Sequence, residues 1–326
     1  MKVILKRILT IIILLFGITA ISFSVIHLAP GGPIEMQSSL NPKMTKEVRE
    51  RLYKLYGLDK PLYIQYFNWL KNIAKLDFGY SFAPDHKKVI TKIKERIGIT
   101  ITINLISIIL IFIIAIPIGV ICAVNENNWI DKILTTFVYI GYAMPSFWFA
   151  LLVMIFFGIY LGWLPISGIK SLNHEYLSWW GKLMDYTKHL ILPILVSTFG
   201  GITGLSRYVR NNMVEVLKTE FILAAKGRGL PESKIYYKHA LKNVMLPVIT
   251  IIGLSIPGLI GGSVIFESIF GIPGMGQLFY QSVMARDYPV IMGILTIGSF
   301  LTLIGNLIAD ICYSIADPRV KLNEKG

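Results

Sequence analysis

The only glycine–lysine pair in the chain is Gly181-Lys182, and Leu183 follows it. A loop that cradles nucleotide phosphates needs Gly-x-x-x-x-Gly-Lys-Ser/Thr, so that backbone amides and the lysine converge on the anion. ATP binding by such a loop is excluded. The sequence also lacks a Gly-x-Ser-x-Gly nucleophile turn, a His-Glu-x-x-His zinc helix and a convincing pair of facing carboxylates. Cys122 and Cys312 lie in or at the end of apolar runs, with neither disulfide nor metal spacing, and read as small buried hydrophobes. The chain is expected to be no enzyme and to hold no cofactor or metal of its own.

The residue types that remain informative serve docking. Residues 220–250, EFILAAKGRGLPESKIYYKHALKNVMLPVIT, form a polar insert of helical character between two apolar runs. Leu217, Phe221, Ala224 and Ala225 recur at helical spacing, Gly229-Leu230-Pro231 interrupts them, and Pro231 suits the first turn of a second helix. Two short helices joined by a sharp bend are predicted. Ala224 and Ala225 would let a partner approach the backbone closely, although alanine is also an ordinary helix former and Gly229 also fits a simple C-cap.

The elements that must carry this insert follow from composition. Hydrophobic residues make up 54% of the 326 and charged residues 16%, against roughly a quarter charged in globular proteins. An all-α integral membrane protein is expected. Six uncharged runs, 8–26, 99–124, 133–161, 190–206, 244–266 and 289–309, predict six transmembrane helices, the first long enough for a bilayer core of about 30 Å. The first run is too long for a secretory core and ends in His27-Leu28-Ala29-Pro30, so it is expected to be retained. Residues 30–98 read as a small external cap, with helical patterning at 45–56 and 61–74.

The net charge of +13 is spread over segments between apolar runs, where anionic lipid and cytoplasmic retention account for it and nucleic-acid binding is not expected. With the N-terminus inside, fifteen Lys and Arg fall on the cytoplasmic side and four, Lys170, Lys182, Lys188 and Arg286, in short outer loops. Both termini and the 207–243 loop are thus expected in the cytoplasm. None of the six runs contains Asp, Glu, Lys, Arg or His, the groups that ion-coupled transporters keep within the membrane, so the energy for any transport is expected from outside the chain. Gly258, Gly261 and Gly262 read as close-approach positions on the fifth run, and His27 and His189 as interfacial imidazoles.

Ala224-Ala225-x-x-x-Gly229, then His239-Ala240-Leu241-Lys242-Asn243 and Leu246-Pro247, resembles the EAA loop of ATP-binding-cassette importer permeases in its dipeptide and oligopeptide branch. Leu223 stands where the general pattern has an acid. Further phrases carry the same resemblance: Tyr56-Gly57-Leu58-Asp59-Lys60-Pro61-Leu62, Asp77-Phe78-Gly79-Tyr80-Ser81, Gly162-Trp163-Leu164-Pro165, Arg286-Asp287-Tyr288-Pro289, Asn306 with Asp310, and Asp317-Pro318-Arg319.

The resemblance implies a type I importer permease (MetI-like) fold with the cap after the first helix, in a prokaryotic cell membrane. Ala224, Ala225, Gly229, His239, Leu241 and Asn243 would then form the coupling loop. The implied partners are two ATPase subunits that bind the ATP, a second related permease, an extracytoplasmic substrate-binding protein, a peptide substrate and the lipid bilayer. Residues 1–98 would form the first helix and cap, 99–314 the permease core with its 207–243 loop, and 315–326 a cytoplasmic tail. A nickel or other small-solute importer is the alternative cargo, and an ATPase-independent secondary transporter the alternative class.

Overall fold

The computed structural model describes residues 2–40, 44–255 and 258–316; Asp317, Pro318 and Arg319 lie outside them, as does the side chain of Asp310. The described chain is helical, and its one β-bridge is an isolated pair, Tyr80 with Lys88. In order the helices are α1 (Lys2–Leu28), α2 (Pro33–Leu40), α3 (Lys46–Leu55), α4 (Leu62–Ile73), α5 (Val89–Val124), α6 (Trp129–Ala143) and α7 (Ser146–Val153). They continue with α8 (Trp179–Leu217), α9 (Glu220–Gly227), α10 (Leu241–Ser255), α11 (Gly258–Gly261), α12 (Val264–Ile269), α13 (Met275–Met284) and α14 (Tyr288–Ala316). Two π-helical segments, Met154–Tyr160 and Lys234–Ala240, extend α7 and precede α10.

Among the described residues, four helical stretches are long and apolar enough to cross a bilayer: Arg7–Met36, Val89–Val124, Trp179–Leu217 and Tyr288–Ile308. The run predicted at 133–161 is bent by 102° between Ala143 and Ser146, and counting that pair as one span gives five. Pro145 sits in the break and cannot supply the amide that would continue α6. Pro117 and Pro193, by contrast, lie inside unbroken helices. The run predicted at 244–266 carries α10, α11 and α12, and α11 and α12 are separate helices. Gly262, at φ +64°, marks one interruption, and a Cβ built on Gly258 or Gly261 would touch nothing in this chain within 4 Å. Gly262 therefore interrupts the helix, while Gly258 and Gly261 lie within α11 and make no close approach within the chain.

The chain divides into two compact units. The first comprises residues 1–98 and 274–304. Thr45 caps α3 by accepting from the Val48 amide, and α3 and α4 end within one residue of the expected 45–56 and 61–74 limits. Tyr66 of α4 is buried on α1, its hydroxyl 3.0 Å from Thr19 Oγ1 and donating to the Phe16 carbonyl at 3.1 Å. Asp287, buried at the start of α14, accepts from Ser81 Oγ and from the Phe82 amide and so ties the 80–82 turn to that helix. Val89, Ile93, Met275, Leu278 and Val290 form the core beneath them.

The second unit comprises residues 99–273 and 305–326. One core cluster gathers Ala115, Val120, Val209, Met213, Ile222, Ala225, Ile235, Ala240, Val244 and Val248, drawn from α5, α8, α9, the second π segment and α10. A second gathers Ile103, Ala150, Val153, Leu192, Val196, Phe270 and Ile272. Gly119 lets α5 and α8 meet, since a Cβ there would stand 2.7 Å from Val209 Cβ and 2.8 Å from the Ser206 carbonyl oxygen. At the other end of α8, Asp185 accepts from the Ser171 amide and from His174 Nδ1 at 2.7 Å, and His189 is buried beside it. His189 is thus packed inside the unit, its Nδ1 2.8 Å from the Asp185 carbonyl oxygen.

Candidate coupling site

Helix α8 stops at Leu217, and Lys218 and Thr219 turn the chain into α9, where the Ile222 and Leu223 amides both donate to the Thr219 carbonyl at 3.1 Å. Which face α9 buries follows from helical spacing. Ile222 and Ala225, three residues apart, point into the core formed with Val209, Met213, Ile235 and Ala240. Phe221 is left 48% exposed and Leu223 56% exposed, with Ala224 exposed between them. Of the two alanines expected to admit a partner, only Ala224 is exposed. Ala225 is only 8% exposed and serves packing inside the chain, whereas Phe221, Leu223 and Ala224 form the outer face.

Gly229 has φ +73°, and a Cβ there would meet nothing within 4 Å, so glycine is required by backbone conformation and not by crowding. The Gly229 amide donates to the Lys226 carbonyl at 2.9 Å and the Leu230 amide to the Ala225 carbonyl at 3.4 Å. That pair of bonds is the Schellman arrangement, with Leu230 packed against the core as its hydrophobic contact. Pro231 then opens the next helical turn, its carbonyl accepting from the Lys234 and Ile235 amides. The sharp bend predicted between two short helices is present, and Gly229 makes it as a C-cap.

The second helix is wound with a π segment, Lys234–Ala240, an irregularity frequent at functional sites. It keeps Ile235 and Ala240 buried while Tyr237 is exposed. His239 and Leu241 are half-buried and Asn243 is exposed, its amide donating back to the His239 carbonyl at 2.8 Å. Ala224, Gly229 and Asn243 thus lie on the surface, while Ala225, His239 and Leu241 are wholly or partly covered.

Two residues outside the sequence reading fix this region. Asp131, in the first turn of α6, receives both arms of Arg210 from α8, Nε to Oδ1 at 2.7 Å and Nη2 to Oδ2 at 2.6 Å. Thr135 Oγ1 at 3.0 Å and the Asn127 amide at 3.1 Å complete the carboxylate's partners. Bidentate geometry of this kind fixes direction as well as distance. Lys218 and Glu126, 3.2 Å apart, add a more exposed tie at the end of α8. Nothing in linear spacing pairs residues 131 and 210; only the packing of α6 on α8 does.

The geometry is that of a short helix held firmly from beneath, with an apolar outer face, two basic side chains, Lys226 and Arg228, and no nucleotide-binding motif. The sequence profile of the family described as "Binding-protein-dependent transport system inner membrane component" matches residues 115–322, and that of its N-terminal component matches residues 1–105. The oligopeptide transport system permease protein AppB of Bacillus subtilis (strain 168) is 42% identical, with 98% of each chain covered. OppB of Haemophilus influenzae, another oligopeptide transport system permease protein, is 36% identical over 98% of this chain and 99% of its own. The dipeptide transport system permease protein DppB of Alkalihalophilus pseudofirmus is 34% identical over 97% and 98%. Among solved structures, the inward-facing MetNI methionine ABC transporter matches with a TM-score of 0.55 at 17% identity, over 70% of this chain and 97% of that one. That likeness carries the fold.

Proposed function

This chain belongs to the family of binding-protein-dependent transport system inner membrane components, and from that premise we propose that it carries short peptides across the cytoplasmic membrane by alternating access. It is a multi-pass membrane permease of an ABC importer, with the ATPase in separate subunits. The relatives named above as oligopeptide and dipeptide permeases support the peptide cargo. In this reading both termini are cytoplasmic, and a second related permease completes the pathway. Two ATPase subunits drive it and an extracytoplasmic binding protein delivers the peptide.

The observation that carries the reading is α9. Its outer face offers Phe221, Leu223 and Ala224 to a partner, while Ile222 and Ala225 join it to the core that also holds α8 and α10. A displacement of α9 by closing ATPases is passed to those helices because the joint is packed, with the Gly229 cap on one side and the Lys218 turn on the other. The Asp131–Arg210 pair carries it on to α6. The motion needs a ligand with different affinity for two states, and ATP and the loaded binding protein supply that difference.

The test is purification of the tagged protein from membranes in mild detergent, followed by reconstitution. A second permease and ATPase subunits are expected to accompany it, and the vesicles should take up a labelled tripeptide only with ATP and binding protein. Peptide uptake by this chain alone without ATP would overturn the reading in favour of a secondary transporter. Uptake of a nickel chelate in place of peptide would overturn the cargo.

A further inference from the structure

The first unit carries a cavity of about 530 Å³, open to its surroundings, that the coupling mechanism does not use. Its wall is a continuous series of aromatic rings. Trp69 stacks at 6.0 Å on Tyr66, which lies 5.2 Å from Phe23; Phe23 stacks at 3.9 Å on His27, and His27 lies 4.8 Å from Tyr288. Tyr288 is 6.5 Å from Phe82, and Phe82 is 4.3 Å from Tyr56. All of these except Tyr66, which backs the wall, line the cavity.

Opposite chemistry comes from α4 and the turn after it. Gln65, Asn68 and Asn72 recur at helical spacing and line the same cavity, as does Asp77. Gln65 is committed to the Lys60 carbonyl at 2.7 Å, but among the described residues neither Asn68 nor Asn72 makes a side-chain hydrogen bond. One carboxylate oxygen of Asp77 accepts from the Gly79 amide at 3.0 Å, and the other faces no protein donor. The loop after α4, which carries Asp77, includes unusual backbone, with Leu76 at φ 60° and His86 at φ 43°. Non-glycine residues persist in that region where surrounding structure over-determines them, commonly at ligand clamps.

We propose that this cavity binds the amino-terminal end of a short peptide, with the free ammonium at Asp77 and an aromatic or large aliphatic side chain among the rings. Each part of such a ligand has a counterpart in the cavity wall. Ring faces attract both apolar surface and a nearby cation. The Asn68 and Asn72 amides offer a donor and an acceptor each, which is what a peptide backbone requires. The volume falls in the range of roughly 300 to 1,000 Å³ typical of small-ligand sites and is too small for a folded partner. A lipid acyl chain would leave the amides and the Asp77 carboxylate without a use. The cavity would thus take part in selecting peptides with a free amino terminus, and in this it rests on the peptide-transport reading above.

The experiment is calorimetric titration of the complete importer in lipid nanodiscs, without binding protein or nucleotide. The probes are a tripeptide of phenylalanine followed by two alanines and its N-acetylated form. The free form should bind at least about tenfold more tightly than the acetylated one. Asp77→Asn, which keeps an acceptor for the Gly79 amide, should make the two equal, and Tyr56→Ala should weaken both while the melting temperature stays near wild type. Trp69 fluorescence should change on binding. Equal affinity of the two probes for the wild type, or an undiminished preference in Asp77→Asn, would overturn the proposal. Absence of saturable binding in an importer that still takes up the peptide with ATP and binding protein would overturn the cavity proposal alone. Binding with the expected preference but no uptake would support the cavity and count against the transport reading.

Discussion

Leu223→Ala separates docking from folding more sharply than any other single change. Leu223 is 56% exposed, so covering it against a partner removes from water about half of what full burial of a leucine would. Full burial is worth roughly 1.5 to 3 kcal/mol, and the contribution at stake is therefore about 1 to 1.5 kcal/mol. At about 1.4 kcal/mol per factor of ten, association with the ATPase subunit should weaken roughly tenfold. The stability of the permease should change by no more than about 0.5 kcal/mol, as for other surface substitutions. The adjacent residue supplies the contrast. Ile222 is fully buried, and Ile222→Ala should cost about 2 to 5 kcal/mol of stability through the cavity it leaves. The assay is titration of purified ATPase subunit onto nanodisc-embedded permease, paired with thermal denaturation of each variant. Wild-type affinity for Leu223→Ala in a protein that melts normally would refute the placement of the docking face.

Gly229→Ala should cost about 1 to 2 kcal/mol from left-handed backbone alone, because no neighbour obstructs a Cβ, and Gly229→Asn should cost less; thermal denaturation distinguishes this from a steric effect, which would scale with side-chain size. Arg210→Ala leaves Asp131 buried without its main partner and should destabilise the second unit by roughly 3 kcal/mol, seen as a lowered melting temperature; Asp131→Asn, which retains the Thr135 and Asn127 partners, should be milder. Gly119→Val would force its side chain onto Val209 and the Ser206 carbonyl and should cost at least about 1 to 3 kcal/mol, with α5 and α8 separated in a distance measurement between spin labels.

What could be read from the sequence was what is encoded locally. The α3 and α4 limits were legible because Thr45 is an N-cap and Pro61 precedes a first turn, and both signals act within a few residues. The bend at Gly229 was legible for the same reason. The Ile222–Ala225 face was not, since α9 carries apolar residues on two sides and only the position of α8 and the π segment decides which is buried. The division of the fifth run was also missed. Glycines in such a run suit a tight helix interface or a break equally well by composition, and only the backbone conformation shows that Gly262 is a break. Asp131 and Arg210 are 79 residues apart and carry no signal until two helices meet. The aromatic wall of the cavity is scattered over α1, the cap and α14 in the same way.

The central claim, that α9 is the element an ATPase subunit pushes, is tested most directly by cross-linking in native membranes. In a background with Cys122 and Cys312 replaced by alanine, Leu223→Cys and Ala225→Cys would each be treated with a short thiol–amine cross-linker, with and without ATP. Leu223→Cys is expected to join the ATPase subunit and to change in yield with nucleotide, while the buried position at Ala225→Cys gives no product. Failure of Leu223→Cys to reach the ATPase subunit in membranes that still take up peptide would contradict the account.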